Sequence, residues 1–208
     1  MSRRAGPQLE LDDVIQAAAA VLQRAGYDGL TMRAVAAELG VQAPALYWHV
    51  KNKDELSLRL FDHLIGGIDY DPPSGDWRMD MRGMAERLRG RLVGVRDITR
   101  LFPENYADGP RAVRSMEMAL GALREAGLPA AEALHAYGAA LSFIVGWSRF
   151  EVTRRANARL PRSSGATPLA KLTNLAWAMA GSAGDDDYDE GFRYGVELLI
   201  AGLERRLA

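Results

Sequence analysis

The sequence predicts an all-α protein with an N-terminal three-helix helix-turn-helix head and a larger C-terminal helical domain, about ten helices in total. Apolar residues recur at three- and four-residue spacing along most of the 208 residues, and no stretch alternates as a half-buried strand does. Hydrophobic residues make up 48% of the chain, which is enough for a substantial core. A segment rich in Asp, Pro and Gly at 69–76 is typical of a loop. We therefore assign the head to residues 1–51, a linking helix to 52–68 and the second domain to 69–208.

The first helix is predicted over Leu9–Arg24, and Gly26 ends it because glycine tolerates the left-handed conformation of a C-cap. A second helix begins after Thr31, whose hydroxyl can accept an unpaired backbone N–H, and Gly40 ends it. Pro44 suits the first turn of a third helix, where its missing N–H costs nothing. Two short helices joined by a tight turn therefore follow the first.

The outer surface of the third helix is unusual for a helix exposed to water. It carries little charge but has a proline, two large aromatic side chains and a histidine. A short helix with such a tip fits a DNA major groove, where Gln binds base edges and apolar groups touch thymine methyls. The alternative is that Tyr47 and Trp48 belong to the core. The residues in question are Gln42, Ala43, Pro44, Tyr47, Trp48 and His49.

The linking helix begins with a predicted capping box, in which Asn52 is the cap and Glu55 lies three residues later. Lys53 then stands at the positive end of the helix dipole, where a cation is unfavourable. Its position is explained if Lys53 and the free backbone N–H groups together bind a phosphate.

The second domain is predicted to be a series of helices separated by short loops. Pro129 and Pro168 each open a helix, and Gly127 and Gly181 each follow one. We predict these helices at 77–95, 97–102, 111–126, 129–158, 168–181 and 188–207.

Two of these helices carry glycines in their interiors, where each glycine costs about 0.5–1 kcal/mol relative to alanine. The last helix has Gly191, Gly195 and Gly202, and the long one has Gly138 and Gly146. Close approach by another backbone explains such glycines, so we expect a twofold homodimer built around a four-helix bundle. Packing within one chain is the alternative. The predicted interface residues are Leu141, Val145, Gly195, Leu199 and Gly202.

The segments LTMRAVAAELGV at 30–41 and LYWHVKNKDEL at 46–56 resemble the helix-turn-helix of the tetracycline-repressor (TetR) family, and EGFRYGVELLIAGLERRL at 190–207 resembles its C-terminal dimerisation helix. The resemblance implies a dimeric repressor of pseudo-palindromic double-stranded operator DNA that a small-molecule effector releases. Ala43 departs from the tetracycline-binding members, which have a polar base-reading side chain there. The resemblance implies base contacts from Arg33, Gln42, Ala43 and Pro44, mixed contacts from Tyr47, and phosphate contacts from Thr31, Trp48, His49 and Lys53.

The resemblance also implies an effector site within the helical domain, and a helical cavity lined by large apolar side chains suits that role. Tetracycline-binding members hold a magnesium–drug chelate through a histidine where this chain has Phe102, and Met84 and Leu88 replace two drug contacts. We therefore expect a bulkier, largely apolar or aromatic effector, with no metal and no cofactor. For each of the effector residues listed next, the alternative is that its side chain belongs to the core. The predicted effector residues are His63, Met84, Leu88, Phe102, Asn105, Met116, Phe143, Trp147 and Trp177.

Composition narrows the class of protein. The absence of cysteine excludes disulfides and thiol metal sites, and a net charge of −1 with a pI near 6.3 is not typical of a non-specific nucleic-acid coat. No signal peptide and no membrane-length apolar run is evident, so we expect a cytoplasmic protein without a membrane partner. No Walker, HExxH or GxSxG motif occurs, so we expect no catalytic residues. An effector-independent or architectural DNA-binding protein is the main alternative, and a helical enzyme is the lesser one.

Overall fold

The computed structural model describes residues 9–70, 73–102, 109–157, 172–180 and 187–207. Within these ranges it contains eight α-helices, two short 3₁₀ helices and no strand, which confirms the predicted all-α class. None of the described helices is long and apolar enough to cross a membrane. In chain order the elements are α1 (Leu11–Gly29), α2 (Met32–Glu38), a first 3₁₀ helix (Ala43–Trp48), α3 (Lys53–Gly66), α4 (Trp77–Gly94), a second 3₁₀ helix (Ile98–Arg100), α5 (Pro110–Glu125), α6 (Ala130–Asn157), α7 (Thr173–Ala180) and α8 (Tyr188–Leu207).

The turn between α2 and the first 3₁₀ helix forms as its sequence predicts. Thr31 caps α2, since its Oγ1 accepts a hydrogen bond from the backbone N–H of Ala34 at 3.1 Å. Gly40 follows α2 with a φ of 67°, a left-handed conformation that side chains with a Cβ rarely adopt. Gly26 also has a positive φ, 72°, but it kinks α1 instead of ending it, and the helix continues to Gly29.

The cap of α3 forms only half of the predicted capping box. Asn52 Oδ1 accepts the backbone N–H of Glu55 at 2.8 Å. The carboxylate of Glu55 does not return to Asn52, because it accepts the N–H of Lys51 at 2.8 Å and pairs with Arg59 at 2.6 Å. The hydrogen bond from Lys51 and the guanidinium of Arg59 lower the pKa of Glu55 below its ordinary value.

One hydrophobic core runs from the head into the second domain. Phe61 of α3 is buried and meets the ring of Phe102 edge-on at a centroid distance of 5.1 Å. At the far end Phe192 of α8 is fully buried and stacks against Phe143 of α6 at 5.5 Å. The linking helix α3 is therefore part of both domains' packing.

A buried charge network ties α4, α6 and α8 together. Glu151 is completely inaccessible to solvent, and its Oε2 accepts a hydrogen bond from Arg89 Nε at 2.8 Å. Arg155 Nη2 lies 2.6 Å from Glu151 Oε1, and Arg89 reaches Asp189 at 2.5 Å. Burial acts to lower the pKa of Arg89, but the hydrogen bonds to Glu151 and Asp189 outweigh it and raise that pKa.

The segment from the end of α4 through the second 3₁₀ helix holds the end of α1. Asp97 has a φ of 55°, and its carboxylate accepts the backbone N–H of Tyr27 at 2.9 Å. Arg96 donates to the carbonyl of Arg24 at 2.8 Å, which satisfies a carbonyl near the end of that helix. Arg100 binds both carboxylate oxygens of Asp28, at 2.8 and 2.9 Å. These contacts join residues some 70 positions apart in sequence, and they supply partners for polar groups at the end of α1, a helix of the head.

Candidate functional site

The tip of the head is an exposed aromatic surface. Trp48 is 89% exposed and Tyr47 is 55% exposed, whereas Leu46, which precedes them, is fully buried. The alternative that Tyr47 and Trp48 are core residues is therefore wrong. These residues belong to the first 3₁₀ helix, which is six residues long and has Pro44 in its first turn. The helix leaves the two rings on the outside and buries Leu46.

The other predicted DNA contacts surround this tip. Helix α2, which carries the exposed Arg33, packs against the first 3₁₀ helix. Arg33 makes no hydrogen bond or ion pair with any described residue, so its guanidinium is available to a ligand outside the chain. Four further predicted residues are exposed or half-buried there: Thr31, Gln42, Ala43 and His49.

Lys53 is held differently from the prediction. Its Nζ lies 3.4 Å from the carbonyl oxygen of Tyr27 and 4.3 Å from the centre of that ring. The ammonium thus has an internal partner at the end of α1, where carbonyl groups lack helical partners. Its contact with a phosphate remains a prediction that requires the side chain to leave or extend beyond Tyr27.

A cavity of about 300 Å³ lies between α4, α5, α6 and α8. Its wall is almost entirely apolar, and small side chains leave it open. Three predicted effector residues line it, namely Met84, Leu88 and Phe143. Among the residues with assigned positions, no three His, Asp or Glu side chains come close enough to hold a metal ion. The small residues of the wall are Ala85, Ala119, Ala136, Ala139, Ala140 and Gly202.

Several predicted effector residues lie away from this cavity. Trp177 is 79% exposed on α7, and Phe102 packs against Phe61 in the core. Trp147 packs against Phe143 and Phe192 and covers Gly191, where a Cβ would come within 2.6 Å of the indole. None of these three side chains lines this cavity, and their contact with an effector stays a prediction. Helical spacing identifies the inner side of a helix but not which part of that side borders open space.

Three other predicted effector residues have separate outcomes. Met116 is half-buried on α5 but does not line the cavity. His63 borders a separate surface groove together with Asp62 and Arg111. Asn105 lies outside the described residues.

The cavity wall also carries hydroxyl groups that were not among the predicted effector residues. Tyr70, Ser115 and Tyr137 line the cavity, and Ser115 Oγ donates to the hydroxyl oxygen of Tyr70 at 3.1 Å. Burial raises the pKa of the Tyr70 phenol, and burial together with Tyr70 raises the pKa of Tyr137 to about 12. The available signal was the alanine-rich stretch of α6 around Tyr137, a single large polar side chain among small ones.

The glycines of α6 and α8 divide into two groups. A Cβ at Gly195 would overlap the ring of Phe143, so that glycine accommodates a side chain of its own chain. This contact explains Gly195 within one chain, and its place at a dimer interface stays a prediction. A Cβ added at Gly138, Gly146 or Gly202 would meet no described atom within 4 Å, so these positions leave open space. Predicted interface residues Leu141, Leu199 and Gly202 also line the cavity, and Val145 is half-buried.

One buried carboxylate of helix α3 caps the start of helix α5. Asp62 is 4% exposed, and its Oδ1 accepts the backbone N–H groups of Arg111 at 2.9 Å and Ala112 at 3.1 Å. Gly109 allows this contact, because a Cβ there would overlap the carboxylate. Helix α5 also carries Ser115 of the cavity wall. The contact between Asp62 and the start of α5 therefore connects the cavity wall directly to the linking helix α3.

Comparison with known proteins gives matches along nearly the whole chain. A family model described as "Bacterial regulatory proteins, tetR family" matches residues 14–60. A second one, described as "Tetracyclin repressor-like, C-terminal domain", matches residues 71–207. The tetracycline repressor protein class C of Escherichia coli is 32% identical over 210 residues, which cover 95% of this chain and 92% of that protein.

Two solved structures are similar in fold over the same span. ActR from Streptomyces coelicolor, in complex with actinorhodin, has a TM-score of 0.82 at 28% identity, and the match covers 95% of this chain and 96% of that one. BioQ with its double-stranded DNA operator has a TM-score of 0.71 at 27% identity, and the match covers 94% of this chain and 98% of that one.

Proposed function

The chain belongs to the tetracycline-repressor family of transcriptional regulators, and from this premise we propose that it is a twofold dimer that represses from a pseudo-palindromic operator. A small, largely apolar effector, other than a magnesium–tetracycline chelate, enters the cavity and releases the DNA. The single observation that carries the DNA-binding half is the outward tip of Tyr47 and Trp48. Adjacent large aromatic side chains left this exposed mark a surface that meets a partner.

The head supplies what a major groove requires. A short helix presents Gln42 and Pro44 at its start, where recognition segments contact base edges. Arg33 is exposed and has no partner among the described residues, as a guanine-binding arginine requires. BioQ, which has a similar fold, has been solved with its operator and supports this mode of binding.

The cavity supports the effector half of the proposal. Its roughly 300 Å³ is at the lower end of the size range of small-molecule sites, about 300–1,000 Å³. Structural neighbours have been solved with small molecules, ActR with actinorhodin and a TetR variant of Acinetobacter baumannii with minocycline. Phe102 stands where the tetracycline-binding members have a metal-binding histidine, and it packs against Phe61 outside this cavity. An apolar side chain cannot ligate a metal, which supports an effector other than a magnesium–tetracycline chelate.

The open sides of α6 and α8 support a dimer. Tyr194 and Leu198 are 68% and 59% exposed on α8, and Gly138 of α6 leaves open space beside it. Each head reaches one half-site, and two heads must be about 34–36 Å apart to enter successive major grooves. A dimer through these helices would set that spacing.

Fluorescence-anisotropy titration of a pseudo-palindromic duplex tests the proposal. We expect operator affinity to fall steeply as salt rises, because phosphate contacts release counterions. A ligand identified by thermal shift should lower that affinity, since it can only act by preferring a state with a different head spacing. Equal binding to random duplex would contradict the operator assignment. A tight ligand without effect on the operator would favour the effector-independent DNA-binding protein.

The roles of Arg33 and Lys53 separate in a mutant titration. Arg33→Ala should cost about 1–3 kcal/mol at the operator and relax the preference at one base pair. Lys53→Ala should weaken every duplex alike and reduce the salt slope by about 1. Because Lys53 also contacts Tyr27, thermal melting of the free protein controls for damage to the head. Similar losses of base preference in both variants would refute this division.

The dimer surface can be probed with a matched pair of glycines. Gly138 of α6 and Gly90 of α4 are both exposed helical positions with no described atom near a Cβ. Gly138→Leu should weaken association by about 1–3 kcal/mol, because an added side chain overpacks a close helix contact. Gly90→Leu should leave the dimer intact. Analytical ultracentrifugation across protein concentrations measures both, and unchanged association in Gly138→Leu would place the interface elsewhere.

Removal of the carboxylate that joins α3 to α5 should uncouple effector from operator. Asp62→Ala leaves two backbone N–H groups of α5 without their cap, which costs about 0.5–2 kcal/mol of stability. The effector should still bind, but its effect on operator affinity should shrink from the usual range of about 5–150-fold towards none. Asp69→Ala, at an exposed carboxylate just after α3, is the control. Full induction in Asp62→Ala would show that another contact transmits the signal.

A further inference from the structure

The ring of Tyr27, at the end of α1, contacts two cations from different parts of the chain. Lys53 Nζ lies 4.3 Å from the ring centre, and Arg100 Cζ lies 4.6 Å from the same centre. Both distances are within the range of a cation–π contact, about 6 Å. Lys53 begins the linking helix α3, whereas Arg100 belongs to the second 3₁₀ helix of the second domain. A side chain of the second domain therefore lies close to the lysine that is predicted to bind a phosphate.

Asp28 carries a carboxylate that both cations can reach. Arg100 Nη1 and Nη2 donate to its two oxygens at 2.9 and 2.8 Å. Lys53 Nζ lies 3.4 Å from the carbonyl oxygen of Tyr27, and the carbon of that carbonyl is bonded to the backbone nitrogen of Asp28. The ammonium is therefore beside the residue that carries the carboxylate, although no ion pair joins the two among the described residues. The guanidinium of Arg100, and to a lesser degree the ammonium of Lys53, lower the pKa of Asp28.

The two cations bind differently because arginine and lysine differ in shape. A planar guanidinium bound to both carboxylate oxygens forms a directional pair, whereas lysine is a compact charge on a flexible stem. While Arg100 occupies Asp28, Lys53 has only the carbonyl and the ring of Tyr27 as partners among the described residues. Both partners are neutral. A phosphate displaces them more readily than it would displace a carboxylate, since a carboxylate carries a full opposite charge.

We propose that Arg100 is a positioning residue for operator binding. By binding Asp28 it keeps Lys53 available to a phosphate, and when Arg100 withdraws, Asp28 pairs with Lys53 instead. Arg100 itself does not contact DNA in this scheme. The inference rests on the proposed function in requiring that Lys53 contacts a phosphate. Because Arg100 belongs to the second domain, it gives that domain a route to the operator surface that is separate from the linking helix and the spacing of the heads.

The salt dependence of binding to a mixed-sequence duplex tests the proposal on the full chain. Phosphate contacts carry no base information, so a duplex of about 30 base pairs, enough for two half-sites one helical turn apart, serves as the probe. Fluorescence anisotropy at a series of salt concentrations gives the affinity and its salt slope. Arg100→Ala should weaken binding about two- to fivefold, the range of one exposed ion pair, and reduce the slope by about 1.

Two further backgrounds decide whether this effect passes through Lys53 and Asp28. In a Lys53→Ala background, Arg100→Ala should cause no further loss of slope, because the phosphate contact is already absent. Asp28→Asn should restore the slope of Arg100→Ala to that of the unsubstituted protein, because the competing carboxylate is gone. A direct contact of Arg100 with DNA, or a general effect of its charge, would persist in the Lys53→Ala background and would overturn the inference.

Arg96→Ala is the matched control. Arg96 comes from the same segment and also contacts the end of α1, but it donates to the carbonyls of Gln23 and Arg24 and not to Asp28. Its substitution removes the same charge and should leave the slope unchanged. Arg100→Lys retains a cation for Asp28 and should keep most of the slope, so the inference stays testable even if Arg100→Ala unfolds.

The outcomes separate this inference from the proposed function. Equal slopes in Arg100→Ala and the unsubstituted protein, or a loss that Asp28→Asn does not restore, would overturn the inference and leave the proposed function standing. An unchanged slope in Lys53→Ala would overturn the inference together with the proposed phosphate contact. The preference for operator over mixed-sequence duplex is measured separately and does not depend on either result.

Discussion

Glu151→Ala is expected to lower the free energy of unfolding by about 3–5 kcal/mol, the cost of breaking a buried ion pair from one side. Glu151 is fully buried, and its removal leaves Arg89 and Arg155 without their shared carboxylate. Arg89 is only 14% exposed, so water cannot replace the lost partner well. Its remaining contact with Asp189 keeps the expected cost towards the lower end of that range.

Urea denaturation at one fixed protein concentration measures this effect, since association contributes to the stability of a dimer. Glu197→Ala is the matched control. Glu197 forms a comparable pair with Arg82 between α8 and α4, but its side chain is 51% exposed. An exposed pair is worth about 0–1 kcal/mol. Equal losses in the two variants would mean that burial does not determine the strength of the Glu151 network.

Ala119→Trp is expected to abolish effector binding while it preserves operator binding. Ala119 is buried on α5 and lines the cavity, so an indole at this position occupies the space that a ligand needs. A ligand at 100 times its Kd stabilises the native protein by about 2.7 kcal/mol, and this gain should disappear. Under the proposed function the operator surface is on the head, so the variant should bind DNA and no longer be released.

A tryptophan away from the cavity provides the control for this variant. Ala131 is exposed near the start of α6 and does not line the cavity. Ala131→Trp should retain the thermal shift and the release from operator. Thermal shift and anisotropy are recorded on the same preparations of both variants. A ligand that still stabilises Ala119→Trp must bind outside this cavity.

Local features of the fold were predictable because they depend on neighbouring residues. The caps at Thr31 and Asn52 each join a side chain to a backbone N–H three residues later. Gly40 fulfils a backbone requirement that its place between two short helices indicates. The same locality explains why the exposure of Tyr47 and Trp48 could be predicted, since both residues belong to one short helix.

The cavity was less predictable because residues from four helices form it. Met84, Leu88 and Phe143 do line its wall. Trp147 lies one helical turn after Phe143 on the same helix, but it packs against Gly191 instead. The spacing of hydrophobic residues is the same for both positions and cannot distinguish them. Tyr70 was not assigned because it stands in a segment after α3, and only the tertiary contact with Ser115 gives it a role. The capping carboxylate of Asp62 was missed for the same reason.

The contacts of Arg96, Asp97 and Arg100 with the end of α1 limit how the head and the second domain can be exchanged between related regulators. A chimaera joined within the linking helix would bring a foreign α1 against these three side chains. The donor head would need an unpaired backbone N–H at position 27 and a carboxylate at position 28 to fit them. A head and a second domain therefore have to be chosen as a pair. New operator specificity is more readily engineered at residues 42–49 than by transplanting a whole head.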